Sequence, residues 1–302
     1  MSARLRPDDV TEALYRRQHE QQAIEAPALM RPRTLAHISD LHMGRSPDSD
    51  QRAVQLCETL VEADIDHVVV TGDLTHRGKT RELELFRQAF APLLESERVS
   101  VVPGNHDRLG DDLGDTIMPG PRVQTETRHG LYLIRLDSTG PHNRSWINGQ
   151  GLLESEDIEG VDAALSRAPA GHLVVLLLHH HLLPLPDEHA VERLSAWMGL
   201  RFTCELDRGG DLLARIRGRC DLVLHGHRHQ PRVLRPFDDR RPVRIFNAGS
   251  STELGRACVF THAAGALATG PWWLDAVAGP PDRELWRSGA HQAGAARAAL
   301  AL

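Results

Sequence analysis

From Thr34 to Asp107 the chain reads TLAHISDLHMGRSPDSDQRAVQLCETLVEADIDHVVVTGDLTHRGKTRELELFRQAFAPLLESERVSVVPGNHD. Three short β-rich runs stand in it, residues 34–38 (TLAHI), 67–70 (HVVV) and 99–102 (VSVV), separated by stretches over 50–63 and 80–94 that read as helices. Strand, helix, strand, helix, strand is the pattern of an α/β sheet. Polar residues follow each strand at once: Asp40 and His42 after the first, Asp73 after the second, and Asn105, His106 and Asp107 after the third. In open α/β sheets this edge binds ligands, because loops from neighbouring strands converge there.

Working outward, residues 131–136, 172–178 and 221–224 read as further strands, and 154–167 and 211–217 as helices. His179 follows the second of these strands, and His227 and His229 the third. After them the helices stop: residues 232–234, 243–246, 257–261 and 272–276 read as strands, antiparallel in character, which predicts a second sheet. Residues 1–33 form a polar N-terminal extension with a helix over 8–22, closed by Pro27 and Pro32. One domain is expected over 34–278, followed by a Gly- and Ala-rich tail over 279–302. There is no internal repeat.

Composition narrows the function. With 302 residues, 41% hydrophobic and 25% charged, the chain is long enough for a full core and is neither disordered nor fibrous. Its 35 basic against 41 acidic residues, a net charge of -6, leave no cation surplus for displacing counterions from a nucleic-acid backbone, so bulk DNA or RNA is not an expected partner. Cys57, Cys204, Cys220 and Cys258 are scattered without a CxxC pair, which argues against a disulfide framework or thiolate zinc site and for a reducing compartment. The longest aliphatic run, 173–178, is too short to span a membrane, and residues 1–30 are polar where a signal peptide would be apolar, so a cytoplasmic location is expected. The 18 histidines stand out, because histidine is the commonest metal ligand among side chains.

Taken singly, the strand-end motifs are weak. Asp40 and His42, two apart, project to one side of an extended segment, and His227 and His229 repeat that geometry; either pair alone is ordinarily a solvated turn. Gly72, Gly104 and Gly226 each precede a strand-end polar residue, where the strand must turn and backbones approach closely. The run GNHD at 104–107 is sharper, since four specified residues recur by chance at roughly one in 160,000 positions. The conjunction decides: DLH, GD, GNHD, a histidine after an apolar strand, and GHRH occur in one order, each at a strand end. Counting does not choose among His179, His180 and His181. His225 reads as a core histidine, while His76, Arg77 and Arg108 lie in loops where they either reach substrate phosphate or form surface salt bridges.

That ordered set resembles the calcineurin-like metallophosphoesterase superfamily over residues 34 to about 262, and within it GDLTHRG, PGNHD and LLLHHHLLP look most like bacterial class III cyclic-nucleotide phosphodiesterases. The resemblance implies a four-layer αββα sandwich of two mixed sheets flanked by helices. It also implies two metal ions: one held by Asp40, His42, Asp73 and His229, the other by Asp73, Asn105, His179 and His227, with Asp73 bridging. The family pattern places the ligand at the first histidine after the strand, His179. GDLTHRG also resembles the phosphoprotein phosphatase branch, but that pattern has an Asp where His76 stands and a Glu where Asp107 stands, so the match is poorer.

The chemistry is consistent with this set. Two cations about 3.5–4 Å apart need a shared anionic ligand, which a carboxylate such as Asp73 supplies, and water bound between them is acidified toward hydroxide. Mixed imidazole and oxygen donors without thiolate suit manganese, iron or zinc. His106, beside Asn105 but not needed for coordination, is the expected proton donor to the leaving group, with Asp107 able to orient it. The expected substrate is a small phosphodiester such as a 3',5'-cyclic nucleotide. A nucleotide-lipid pyrophosphohydrolase, a phosphomonoesterase, a nuclease and a non-catalytic binding module on the same fold are the alternatives; the chain's single lysine, Lys79, and the lack of a large basic or apolar insertion disfavour the pyrophosphohydrolase and the nuclease. Self-association is left open.

Overall fold

The computed structural model describes residues 30–183 and 206–276. The expected helix over 8–22, the tail over 279–302 and Cys204 lie outside the described residues.

The strands are β1 (Arg33–Ile38), β2 (His67–Thr71), β3 (Val99–Val102), β4 (Val123–Arg128), β5 (Leu131–Leu136), β6 (Leu173–Leu177), β7 (Leu222–His225), β8 (Arg232–Leu234), β9 (Arg244–Asn247), β10 (Arg256–Ala263), β11 (Ala266–Leu267) and β12 (Trp272–Asp275). The helices are α1 (Pro47–Glu62), α2 (Thr80–Ala89), α3 (Ala91–Glu95), α4 (Gly114–Ile117), α5 (Ser155–Ser166), α6 (Gly209–Ile216) and α7 (Ser251–Leu254). One sheet runs β11-β10-β1-β2-β3, with β12 also paired to β10; the other runs β4-β5-β6-β7-β9-β8. Both are mixed. β1, β2 and β3 are parallel while β10 lies antiparallel to β1. In the second sheet β5, β6, β7 and β9 are parallel, with β4 and β8 antiparallel at the edges.

Side-chain alternation along the strands builds the four layers. On β2, Val68 and Val70 face a core shared with Leu56 and Leu60 of α1 and Phe86 of α2, while Val69 faces the opposite way. On β6, Leu173, Val175 and Leu177 join Val69 in the core between the two sheets, whereas Val174 and Leu176 pack toward Val161 of α5 and Leu212 of α6. Each central strand is thus covered on both faces, which explains why β2 and β6 are continuous aliphatic runs instead of alternating ones. Three cores separating helix, sheet, sheet and helix make the αββα sandwich.

The structure departs from the sequence reading in several places, four of which shape the fold. The late strands do not make a sheet of their own: β10, β11 and β12 complete the first sheet, and β8 and β9 extend the second. β9 is parallel to β7 because residues 226–243, with β8 among them, carry the chain back across the sheet; β10 covers the edge that β1 would otherwise expose. The helix expected over 80–94 breaks at Phe90, since Pro92 has no N–H to give Gln88 and its ring would clash there. Helices do not stop after α6, because Ser250 caps the short α7 by accepting from the Glu253 N–H. β4 escaped notice because its sequence, VQTETR, is polar and lies on an edge.

Candidate metal centre

β1, β2, β3, β6 and β7 all point their C-terminal ends at one rim of the sandwich, and the loops beyond them carry Asp40 and His42, Asp73, Asn105 and His106, His179, and His227 and His229. The structure brings all eight together. His42 Nε2 lies 3.0 Å from His229 Nε2 and 3.8 Å from Asp73 Oδ2, and His229 Nε2 lies 3.5 Å from Asp40 Oδ1. On the other side His179 Nε2 is 3.1 Å from Asn105 Oδ1, 3.1 Å from His227 Nδ1 and 3.4 Å from Asp73 Oδ1. The two groups therefore meet at Asp73, one carboxylate oxygen turned to each.

The backbone is bent to make this convergence. Asp40, His42, Asp73, His227 and His229 all have left-handed φ, between 49° and 75°. Aspartate and histidine tolerate that region better than most residues, but each still costs on the order of 1–3 kcal/mol, a strain that clusters at functional sites. Gly72 takes a left-handed φ of 87°, and a Cβ there would run into the His179 ring. At Gly226 a Cβ would collide with Ser39 and Asp40, so glycine lets the two loops touch.

Hydrogen bonds fix which ring atoms face inward. His179 Nδ1–H donates to the Thr71 carbonyl at 2.8 Å, leaving Nε2 to the site. His227 N–H donates to both oxygens of Asp40 at 3.0 Å. His106 Nδ1–H donates to the His76 carbonyl at 2.8 Å, which frees its Nε2. This corrects the expected role of Asp107: its carboxylate accepts from Leu74 N, Thr75 N, Thr75 Oγ1 and Gly104 N, tying the β2 and β3 loops together, and does not orient His106. Burial, with the Asp73 charge behind it, pushes Asp107 up to about 6.

His180 accepts from Ser138 Oγ at Nδ1 and donates to the Gly149 carbonyl from Nε2, so both its nitrogens are engaged, although it lies near His179 and His227. His225 is buried with Nδ1 3.2 Å from the Gly226 carbonyl, as expected of a core histidine. Arg108 does not reach the site; it is bonded to Asp112, Asp115, Asp137 and Thr139. Sequence reasoning missed the groups that hold the loops: Ser250 Oγ on the Asp40 carbonyl, Thr252 Oγ1 on the Leu41 carbonyl, and Asn247 Nδ2 on the Gly226 carbonyl. The rule that singled out the candidate ligands would have found Asn247 and Ser250 as well, since Asn247 ends β9 after Ile245 and Phe246 and Ser250 lies three residues beyond it.

The charge pattern calls for cations. Asp40 and Asp73 are buried, and their nearest ionic partners are imidazoles, His229 for the first and His42 and His179 for the second. Burial raises Asp40 above the usual carboxylate range. At Asp73 burial pushes the same way, but the facing His179 and His106 overcome it and hold the group well below that range. His179 answers in kind: burial opposes its charge, yet Asp73 lifts it to about 9. Burial keeps His42 and His227 neutral, with lone pairs available. Four imidazoles and three oxygen side chains without thiolate form a donor set that fits borderline transition metals.

The family model described as calcineurin-like phosphoesterase matches residues 33–231, about two thirds of the chain and every strand that feeds this rim. The chain belongs to the calcineurin-like phosphoesterase family. Membership carries the reaction class, metal-dependent hydrolysis of a phosphoester, and the family uses a dinuclear metal centre. This phosphoesterase is similar to a protein of Ruthia magnifica subsp. Calyptogena magnifica named "Probable cyclic nucleotide phosphodiesterase", 22% identical over 64% of this chain and 75% of the relative. A protein of the same name from Vesicomyosocius okutanii subsp. Calyptogena okutanii is 23% identical over the same shares. In fold it is similar to a purple acid phosphatase from yellow lupin seeds, with TM-score 0.61 and 14% identity over 83% of this chain; the chain spans about half of that structure, 53%. A dimetal phosphatase from Danio rerio has TM-score 0.53 and 12% identity, covering 80% of this chain and 98% of its own. No helix among the described residues is long and apolar enough to cross a membrane.

Proposed function

We propose that this phosphoesterase is a phosphodiesterase that cleaves a small diester, a 3',5'-cyclic nucleotide being the best-supported class. The observation that carries the metal-dependent part of this reading is the position of Asp73, with Oδ1 toward His179 and Oδ2 toward His42, where one carboxylate could serve two cations. Asp40, His42, Asp73 and His229 would hold one ion, and Asp73, Asn105, His179 and His227 the other. Manganese, iron and zinc suit the donors. When bound, such a pair supplies a nucleophile at neutral pH and offsets phosphoryl charge.

The chain's own residues do the rest. His106, its Nδ1–H committed to the His76 carbonyl, presents Nε2 to protonate the departing oxygen. Asp107 keeps the β2 and β3 loops in register, so that Asp73 and His106 hold their separation, and the His106 N–H itself donates to Asp73 Oδ1 at 2.8 Å. The relatives named as cyclic nucleotide phosphodiesterases support the diester class. Three buried free thiols, Cys57, Cys220 and Cys258, support a reducing, cytoplasmic setting.

Purified protein is expected to carry close to two transition-metal ions per chain by elemental analysis. Chelation is expected to abolish hydrolysis, and a panel of substrates to favour diesters over monoesters. Metal-free protein whose activity ignores chelators would end the dinuclear reading, and preference for monoesters would end the diesterase reading.

A further inference from the structure

Beside the candidate centre stands a loop that leaves two large apolar residues exposed. Trp146 is 60% exposed and Ile147 68%, two of the few large hydrophobic side chains left in solvent among the described residues. The Trp146 ring lies 5.1 Å from His106 and 5.8 Å from His76, centroid to centroid. Interplanar angles of 86° and 68° mean that neither imidazole is stacked on the indole face.

The loop is anchored on both sides of its tip. Asn143 accepts from the Gly140 N–H and donates to the carbonyls of Asn148 and Gln150; His142 Nε2–H donates to the Gln150 carbonyl, and His180 Nε2–H to that of Gly149. Arg144 is paired with Asp112. At Gly149 the loop runs so close to the centre that a Cβ would touch Asn105 and His227, each at 3.7 Å. The tip is thus held next to the centre with its two large apolar side chains outward.

We propose that Trp146, flanked by Ile147, is a stacking platform for a planar ring carried by the phosphodiester, a nucleobase in particular. Its place follows from His106: the residue proposed to protonate the leaving oxygen is the one whose ring meets the indole. Aromatic side chains bind bases by their π faces with little regard to which base is present. The platform therefore gives selectivity for nucleotides as a class over ring-free diesters. The inference rests on the diesterase reading above.

The test compares hydrolysis of adenosine 3',5'-cyclic monophosphate with that of the same cyclic diester lacking the base, followed by phosphorus NMR. Trp146→Ala is expected to lower the ratio of kcat/KM for the base-bearing over the base-free substrate by roughly 5- to 150-fold, mainly through KM, and Trp146→Phe is expected to keep most of it. An unchanged ratio overturns the platform. If the wild type hydrolyses neither diester, the diesterase reading fails and the platform is judged by binding: titrating adenosine monophosphate should quench indole fluorescence in the wild type and not in Trp146→Ala. Equal quenching in both overturns it.

Discussion

Asp73→Asn is expected to strip the protein of metal and activity together, more completely than any other single substitution at the centre. The amide keeps the shape and an oxygen for the His106 N–H, so the fold has no steric reason to change. What it removes is the charge that two cations would share and that lifts His179 to about 9. Partners that merely orient a ligand contribute roughly 10- to 100-fold to metal affinity, and a bridging carboxylate should exceed that. Asn105→Ala, which removes a neutral donor on one side only, should lose less. Elemental analysis of both variants, alongside diester hydrolysis, reads the difference; equal metal retention would count against a bridging Asp73.

His106→Ala should behave in the opposite manner, keeping both metals while kcat falls by the roughly 10²- to 10⁴-fold typical of a lost general acid. The loss should depend on the leaving group. A p-nitrophenolate departs with little need of a proton and should suffer less than a sugar alkoxide. If both substrates fall equally, His106 acts by binding phosphoryl oxygen in the transition state. Loss of the metals would make it a structural member of the centre instead.

The strand-end rule explains why so much of the site could be read from residue order alone. Asp40, Asp73, Asn105, His179 and His227 are legible because parallel strands must deliver their C-terminal loops to one rim, so that motifs weak singly gain weight from recurring there in order. What holds them is less legible, for physical reasons. The partner of His106 is a main-chain carbonyl, that of His76, and every residue carries one. The mistake over Asp107 has the same source, since adjacency in sequence suggested a contact that the turn after Asn105 directs elsewhere. Arg108 sits beside the motif yet points into a nest of aspartates from later in the chain. The left-handed backbone of five candidate ligands leaves no mark in composition, because aspartate and histidine are chosen there for chemistry. The path of β10 to β1 is likewise invisible to local pattern, which reports that a strand exists but not which edge it seeks.

That last pairing bears on the order of events during synthesis. Arg33 opposes His262 and His37 opposes Cys258, so the strand that presents Asp40 and His42 gains its outer neighbour only after some 220 further residues have been made. Ser250 and Thr252, which grip the carbonyls of Asp40 and Leu41, arrive equally late. Contacts this far apart in sequence slow folding, and a nascent chain leaves the ribosome from its N-terminus. A strand made well before its partner is therefore among the last to be locked, and a chain stalled before residue 250 would display its candidate ligands on an unguarded strand edge, open to pairing with a neighbour on the same polysome.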